Sequence, residues 1–597
     1  MRSRAASGRA TGDYPPAFSS GGHQTGGVLI VLARVPGGRS PVERGVSGES
    51  GPSGTIMAAR LNDAGRSLGI EYVNDLADFV REQEAQHPRW VWDDTSRWYP
   101  ELLAAGVRIE RCFDLRLCHV ILRQSALTAD SALARAERNV WDDPAVALPP
   151  RDESRPAASA ALFSLDDEQP VAAAPADPLA EFSLQRVAVA ASAEPGRIGR
   201  LLAAESAGAL IAAEMRFAGL PWRADRHDEI LTAILGERTA DRPTKVQVIL
   251  DVVRGRLESP ELNPDSPADL LKALGNAGLN VASTRSWELR KLKHPAIAPL
   301  LEYKKLSRLL SANGWHWLET WVADGRFRPD YVPGGVVTGR WATSGGGALQ
   351  LPKQIRGAVV ADDGWKLVVA DASQLEPRIL AAMAGDRGMV AAGAAGDLYA
   401  GIVASGAVET RDQAKVAMLG AMYGATTGES GRLMPRLAKA YPKAIALVED
   451  AARAGERGEI VTTRLGRSSP PGPSVRGYDE LVSEAEASRS RDRARAWGRF
   501  TRNFVVQGTA AEWALCWMAS IRRRLNEGAA GGWLTDAPHL VFFLHDEVVV
   551  HCPAATADVV AAVIRECAAE AGRLLFGAIP AEFPLTVAIV DNYGEAK

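Results

Sequence analysis

Two short runs constrain this chain more than any other feature. KLVVADASQLEPRILAAM and HLVFFLHDEVVVHCP each hold an apolar, strand-like stretch that ends on an aspartate. In the first, Lys366 to Ala370 reads as a buried strand that delivers Asp371. Pro377 follows in the first turn of a helix, where its missing N–H has no partner to lose. In the second, two apolar strands flank His545, Asp546 and Glu547, as a tight hairpin would place them. A single aspartate at a strand end is ordinarily a cap or turn residue. Two brought side by side repel unless cations neutralise them, and oxygen ligands of this kind suit magnesium.

A third segment, RDQAKVAMLGAMYG, supplies the opposite charge. Arg411, Lys415, Leu419 and Tyr423 recur at every fourth position and so share one helical face, with Gly424 placed to end the helix. A guanidinium fork one turn from a mobile ammonium matches what a triphosphate requires. A merely solvated basic stripe would continue in polar residues or acidic partners, whereas this face continues to Leu419 and Tyr423.

Together the three segments resemble motifs A, B and C of the family A DNA polymerases, in the family's order and spacing. LEYKKLSRL, TGRW, TRLGR, NFVVQGTAAE and DNYGEAK extend the resemblance from about Glu205 to Lys597. It implies an α/β multidomain chain with a right-hand polymerase of palm, fingers and thumb. The implied activity is template-directed addition of deoxynucleotides to a primer 3′-hydroxyl by two-metal nucleotidyl transfer, in replication or repair. On this resemblance Asp371 and Asp546 bridge two Mg2+ ions, with Mn2+ as a substitute, the Ala372 carbonyl completes the metal shell, and Glu547 joins the catalytic group beside Asp546. Gln374, Glu376, Tyr399, Arg411, Lys415, Leu419 and Tyr423 would meet the deoxynucleoside triphosphate, Glu376 as a steric gate where a ribose 2′-hydroxyl would lie. Lys304, Arg308, Arg340, Arg467, Arg499, Asn503, Gln507 and His545 would meet primer-template DNA. The sequence departs from the family pattern at Leu419, where an aromatic residue is usual, at Tyr399, which replaces a histidine, and in GGGALQLP, which has lost most of a template-contact signature.

Ahead of this region, VLIVLARV, RWVWDD and GVRIERCF read as strands and Asn74 to Gln86 as a helix. Residues 25–140 are therefore expected to form a small α/β domain, in the place of the family's RNase H-like 3′–5′ exonuclease. It is expected to be degenerate, because VLIVLARV carries no acid and Asp93, Asp94 and Asp114 read as cap or turn residues. Residues 1–24 are expected to be a disordered extension, leaving no room for a 5′-nuclease domain, and the Pro-, Ala- and acid-rich stretch 141–183 a linker. The polymerase region would span 184–597, with a helical thumb at about 200–325, including a helix that runs on to Trp317, and palm and fingers at about 326–597.

The composition excludes several other classes. No apolar run approaches the roughly 20 residues that span a bilayer, and the five cysteines have no paired CxxC spacing, which argues against a zinc site or a disulfide framework. A cytoplasmic, nucleoid-associated monomer is expected. The net charge of −3 says nothing about a nucleic-acid partner, since local clustering decides; residues 489–502 hold six arginines and one aspartate. A catalytically silent DNA-binding relative is the main alternative, and retained Asp371, Asp546, Arg411 and Lys415 speak against it. Residual exonuclease activity and RNA synthesis are further alternatives, the latter opposed by Glu376.

Overall fold

The computed structural model describes residues 28–35, 55–143, 176–394, 396–425, 428–473, 484–528 and 532–596. The expected extension at 1–24 and most of the expected linker lie outside them. The first strand, β1 (Leu29–Arg34), has both faces covered, which is why it reads as a continuous apolar run. Leu29 and Val31 pack into one core and Ile30 and Leu32 into another. With β2 (Ile56–Leu61), β3 (Ser67–Val73), β4 (Arg89–Trp92) and β5 (Cys112–Asp114) it forms a sheet of order β3-β2-β1-β4-β5. The β1–β2 and β2–β3 pairs are antiparallel, and β1–β4 and β4–β5 are parallel.

Three helices follow strands of this sheet: α1 (Leu76–Glu84), α2 (Thr95–Ala104) and α3 (Leu115–Gln124). The strand expected over GVRIERCF is shorter than its apolar pattern. Gly106 adopts φ +74 to leave α2 and the Val107 N–H returns to Leu102 O at 2.8 Å, so only Cys112 onward joins the sheet. The ends of the expected linker are also ordered. Trp141 is buried beneath the Arg116 guanidinium, and a helix at Pro178–Ala190, capped by Asp177, sets Phe182 against Phe113 with ring centroids 5.7 Å apart.

A helical region includes Pro195–Ala218 and Ile297–Asn313. The helix expected to reach Trp317 breaks at Gly314 and resumes at Trp315–Trp321. A β-carbon at position 314 would lie 2.2 Å from Leu310 O, so the close turn there requires glycine.

A four-stranded antiparallel sheet carries the remainder, in the spatial order His539–Leu544, Glu547–Pro553, Trp365–Ala372, Leu585–Val590. The helix Ala557–Phe576 and the 45-residue helix Glu484–Gly528 pack around it. The long helix is also tied to the N-terminal sheet domain. Arg522 donates to Glu214 at 2.7 and 3.0 Å and to the carbonyls of Ile109 and Glu110, while Tyr99 and Arg108 donate to the same Glu214 carboxylate. Burial alone would raise the Glu214 pKa, but the two guanidinium groups outweigh it and hold the carboxyl well below its ordinary range. Leu210, Leu534, Phe217 and Trp533 complete the apolar core beneath β1 and β4. No helix among the described residues is long and apolar enough to cross a membrane.

Candidate active site

The two sequence-predicted aspartates meet through backbone pairing. Asp371, in the strand Trp365–Ala372, stands opposite Glu547 on one side and Thr586 on the other. The next residue, Ala372, donates its N–H to Asp546 O at 2.9 Å. Asp546 sits in the two-residue hairpin turn His545-Asp546, which His545 makes possible by taking φ +61. Both aspartates are half-buried at neighbouring strand ends.

Glu547, expected in the catalytic group beside Asp546, is buried there. It is 2% exposed and accepts hydrogen bonds from Tyr593 Oη and from Arg356 at 3.2 Å, with the Arg356 guanidinium 4.5 Å above the Tyr593 ring. It anchors the hairpin to the C-terminal segment instead of standing open beside the aspartates. Burial, then the adjacent carboxylate, pushes the Tyr593 hydroxyl pKa up, so it stays a donor to Glu547.

The turn after Asp371 leads into the helix Leu375–Ala384, whose N-cap is Gln374 in the left-handed region at φ +57. A non-glycine residue there is strained and needs local support. The support is visible: Gln374 Nε2 donates to Asp397 and its Oε1 accepts from the Leu398 N–H, both at 2.8 Å. Gln374, expected to meet the nucleotide, therefore has both ends of its amide engaged within the protein. Arg378, buried in the same helix, donates to the carbonyls of Ser373, Gly393, Gly396 and Glu582 and so fixes the turn.

Asp397 also receives Arg411 Nε at 2.7 Å. Burial works to raise the Asp397 pKa, but the hydrogen bonds from Arg411 and Gln374 overcome it and bring the carboxyl down to about 2. Tyr399 is buried, with the Arg411 guanidinium 5.6 Å over its ring. The helix Arg411–Tyr423 is capped by Thr410 and ends at Gly424 in the left-handed conformation, as the spacing predicts. Arg411, Lys415, Leu419 and Tyr423 all lie exposed along its length. Tyr423 Oη donates to one oxygen of Glu376 at 2.9 Å, Arg340 donates to the other, and Gln507 Nε2 reaches Tyr423 Oη at 3.2 Å. Arg340 and Tyr423 thus converge on the Glu376 carboxylate from distant segments, with Gln507 joined through Tyr423. A cavity next to it is lined by Arg340, Glu376, Leu515, His545 and Asp546 among others.

The residues expected to meet DNA fall in three places. Arg340, Gln507 and His545 join this cluster, and Arg499 packs beside it, where a β-carbon on Gly424 would lie 2.8 Å from its Cγ. Asn503, one turn from Gln507, is half-buried, and its Nδ2 has no hydrogen-bond partner among the described residues. Lys304 and Arg308 stand on the separate helix Ile297–Asn313. Arg467 pairs with buried Glu205 and is pressed by Gly339, whose added β-carbon would lie 2.4 Å from Arg467 Nε. Its loop is held by Glu512, which accepts from Thr463 Oγ1 and from the Leu465 N–H at 2.8 Å. Burial pushes the Glu512 carboxyl up to about 7. Sequence reasoning missed Asp397, Arg356, Tyr593, Glu205 and Glu512; of these only Asp397 carried a local signal, an aspartate one residue ahead of an apolar helix.

The N-terminal acids have other occupations. Asp94 caps α2 through the Ser96 N–H at 2.9 Å, and Asp114 caps α3 through Leu117 at 3.0 Å and also accepts the Thr95 N–H at 2.8 Å. Asp93 accepts from Arg97 and Trp98. Burial, then the charge of Asp94, pushes the Asp114 carboxyl up to about 7.

A family model described as DNA polymerase family A matches residues 254–594. The chain belongs to DNA polymerase family A. Among curated proteins it is 27% identical over 353 residues to the thermostable DNA polymerase I of Thermus thermophilus, covering 53% of this chain and 39% of that one. It is 28% identical over 344 residues to DNA polymerase I of Chloroflexus aurantiacus, covering 54% and 34%. The matches thus span less than half the length of these curated relatives. Among solved structures, the POL domain of Pol1 from M. smegmatis, in complex with DNA primer-template and dNTP, aligns with a TM-score of 0.62 at 18% identity, covering 90% of this chain and 93% of that one. This likeness gives the fold, the right-hand polymerase, for nearly the whole family A chain.

Proposed function

We propose that the chain is a template-directed DNA polymerase that adds deoxynucleotides to a primer 3′-hydroxyl. The observation that supports this best is the Ala372 N–H to Asp546 O hydrogen bond at 2.9 Å, which brings two aspartates from distant segments to adjoining strand ends. No group of three or more His, Cys, Asp or Glu among the described residues forms a ready-made metal cage. Two carboxylates and a carbonyl suit Mg2+, which keeps several ligand positions for water and substrate phosphates. Asp371, Asp546 and the Ala372 carbonyl would hold the two ions. When bound, these supply Lewis acidity to the primer hydroxyl and to the phosphates.

The protein's own residues do the rest. Lys415 and Arg411 neutralise charge on the triphosphate, Arg411 exchanging its Asp397 partner for phosphate oxygens. Gln374, through Asp397, sets where that arginine waits. Glu376 fills the space beside the sugar, held by Arg340 and Tyr423, and so excludes a 2′-hydroxyl. Leu419 and Tyr423 meet the nucleotide and template base, and Asn503, Gln507, Arg499 and His545 the DNA strands. The N-terminal domain is an RNase H-like exonuclease relative without activity, and the enzyme works on nucleoid DNA in the cytoplasm. Primer extension in Mg2+ tests the reading. Extension of an end-labelled primer is expected, and Glu376→Ala should raise ribonucleotide use by roughly tenfold or more. A chain that binds primer-template but adds no nucleotide in Mg2+ or Mn2+ would refute it.

A further inference from the structure

A groove of about 540 Å³ runs between the helix Ala557–Phe576 and the segment 579–585 that leads into the strand Leu585–Val590. Its size is that of a ligand site, roughly 300–1,000 Å³, and none of its lining residues belongs to the candidate active site. On the helix, Arg565, Ala569, Gly572 and Arg573 share one face. Two cations thus stand about 12 Å apart, at 1.5 Å per residue, with only small side chains between them. The opposite wall is apolar and includes Ile579, Pro580, Phe583 and Leu585.

That wall is held in place by the rest of the fold. Phe583 packs on Trp513 and Phe576, with ring centroids 5.2 and 5.9 Å apart, and a β-carbon on Gly572 would lie 2.9 Å from its ring. Arg378 donates to Glu582 O at 3.1 Å, and the Ser373 N–H to Pro584 O at 3.2 Å. The charges at the rim are less committed. Arg565 and Arg573 are exposed, and neither has an ion-pair partner among the described residues; Arg565 donates only to Ala561 O of its own helix, at 3.3 Å. The neighbouring carboxylates of Glu566 and Glu570 are taken by Arg524 and Arg523. Leu585 opens the last strand of its sheet, and no strand among the described residues pairs with the outer edge. An unpaired strand edge is a template for an extended peptide.

We propose that this groove binds an extended peptide of a partner protein, one with two acidic side chains four positions apart and an apolar side chain midway between them. In an extended chain residues i, i+2 and i+4 point to one side, and four residues span about 13 Å. The two acids then meet Arg565 and Arg573 while the apolar side chain enters over Ala569 and Gly572 against the wall. Exposed Glu582 is the one carboxylate that lines the groove. A peptide can offer it an N–H, which a phosphate backbone cannot, so the charge pattern favours a peptide over a nucleic acid.

The test is fluorescence anisotropy on the full chain with a fluorescein-labelled peptide, Gly-Thr-Glu-Thr-Leu-Thr-Glu-Thr-Gly. Saturable binding with a Kd on the order of 10–100 μM is expected. Arg565→Ala/Arg573→Ala should weaken it roughly five- to tenfold, and Arg565→Lys/Arg573→Lys should restore most of the loss, which separates a charge effect from a folding defect. Ala569→Trp, which fills the middle of the groove, should abolish binding. The same peptide with glutamine for both glutamates should bind the unaltered chain as weakly as the acidic one binds the double alanine variant. Three outcomes overturn the inference. One is no saturable binding up to about 1 mM, or an affinity indifferent to both the double alanine variant and Ala569→Trp. Another is displacement of the peptide by primer-template DNA, which would make the groove a nucleic-acid path. The third is self-association in sedimentation that Ala569→Trp removes, which would seat a second copy of the chain there.

Discussion

The five-stranded N-terminal sheet and the four-stranded sheet use the same local grammar, a strand with an aspartate at or next to its end followed by a helix, and reach opposite outcomes. In the N-terminal domain, β5 ends on Asp114 and α3 begins at Leu115, so Asp114 is itself the N-cap and its oxygens accept backbone N–H groups. In the polymerase sheet, Ala372, Ser373 and Gln374 intervene, and Gln374 takes the cap position in a strained conformation. Asp371 is thereby relieved of capping and stays at the strand end beside Asp546. Three residues lie between Asp371 and its helix and none between Asp114 and α3, and that spacing separates a carboxylate held at the strand end from one that caps.

The largest effect that would sharpen this contrast is on chemistry. Asp371→Asn or Asp546→Asn should reduce extension by more than about a hundredfold while primer-template affinity stays nearly intact; a variant retaining more than a few per cent of the rate would break the assignment. The complementary test withholds nucleotides. Because Asp93, Asp94 and Asp114 are engaged in caps and side-chain bonds, a mismatched primer should stay full length for hours, and shortening abolished by Asp114→Asn would show that these acids also hold metal.

The third prediction concerns stability. Losing a cap costs about 1–2 kcal/mol, so Asp114→Ala should lower the denaturation midpoint without lowering extension per folded molecule. The carboxyl's pKa is raised on folding, from an ordinary value near 3.8 to about 7. The folded chain then binds more protons than the unfolded one between those values, and stability should fall as pH rises through that window. Asp114→Asn should flatten that pH dependence in melts recorded from pH 4 to 7.5; an unchanged slope would mean that Asp114 is ionised in the fold.

How much of this was legible beforehand depended on how local the determinant was. Strand-helix order, the Arg411–Tyr423 face and the His545-Asp546 turn follow from apolar spacing and turn chemistry within a few residues, and the structure has them. The partners of Glu547 and Arg467 were not legible, because Arg356 with Tyr593 and Glu205 lie 46 to 262 positions away. No window of sequence contains such a pair. The break at Gly314 and the early helix at Pro178 were missed for a different reason: propensity cannot foresee a backbone collision or a docking surface.

The smallest predicted effect lies at Leu419, 36% exposed on the helix Arg411–Tyr423. Aromatic stacking adds about 0.5–1.5 kcal/mol beyond burial, so Leu419→Phe should tighten nucleotide binding by roughly two- to tenfold. Single-turnover incorporation across nucleotide concentrations measures it, and an apparent Kd that stays level or rises would mean that the pocket is shaped around leucine.

The Arg522–Glu214 cluster carries a practical consequence for anyone wishing to trim this protein to a minimal catalytic core. The guanidinium donates both to carbonyls of the N-terminal domain and to Glu214 on the helix Pro195–Ala218, and Leu210, Phe217 and Trp533 lie under the same sheet. A cut near residue 140 would strip carbonyl acceptors from a buried cation and leave a greasy scar on the surviving fragment, inviting aggregation. Shortened versions should therefore either retain the N-terminal domain or replace Arg522, Glu214 and the apolar residues around them as a set.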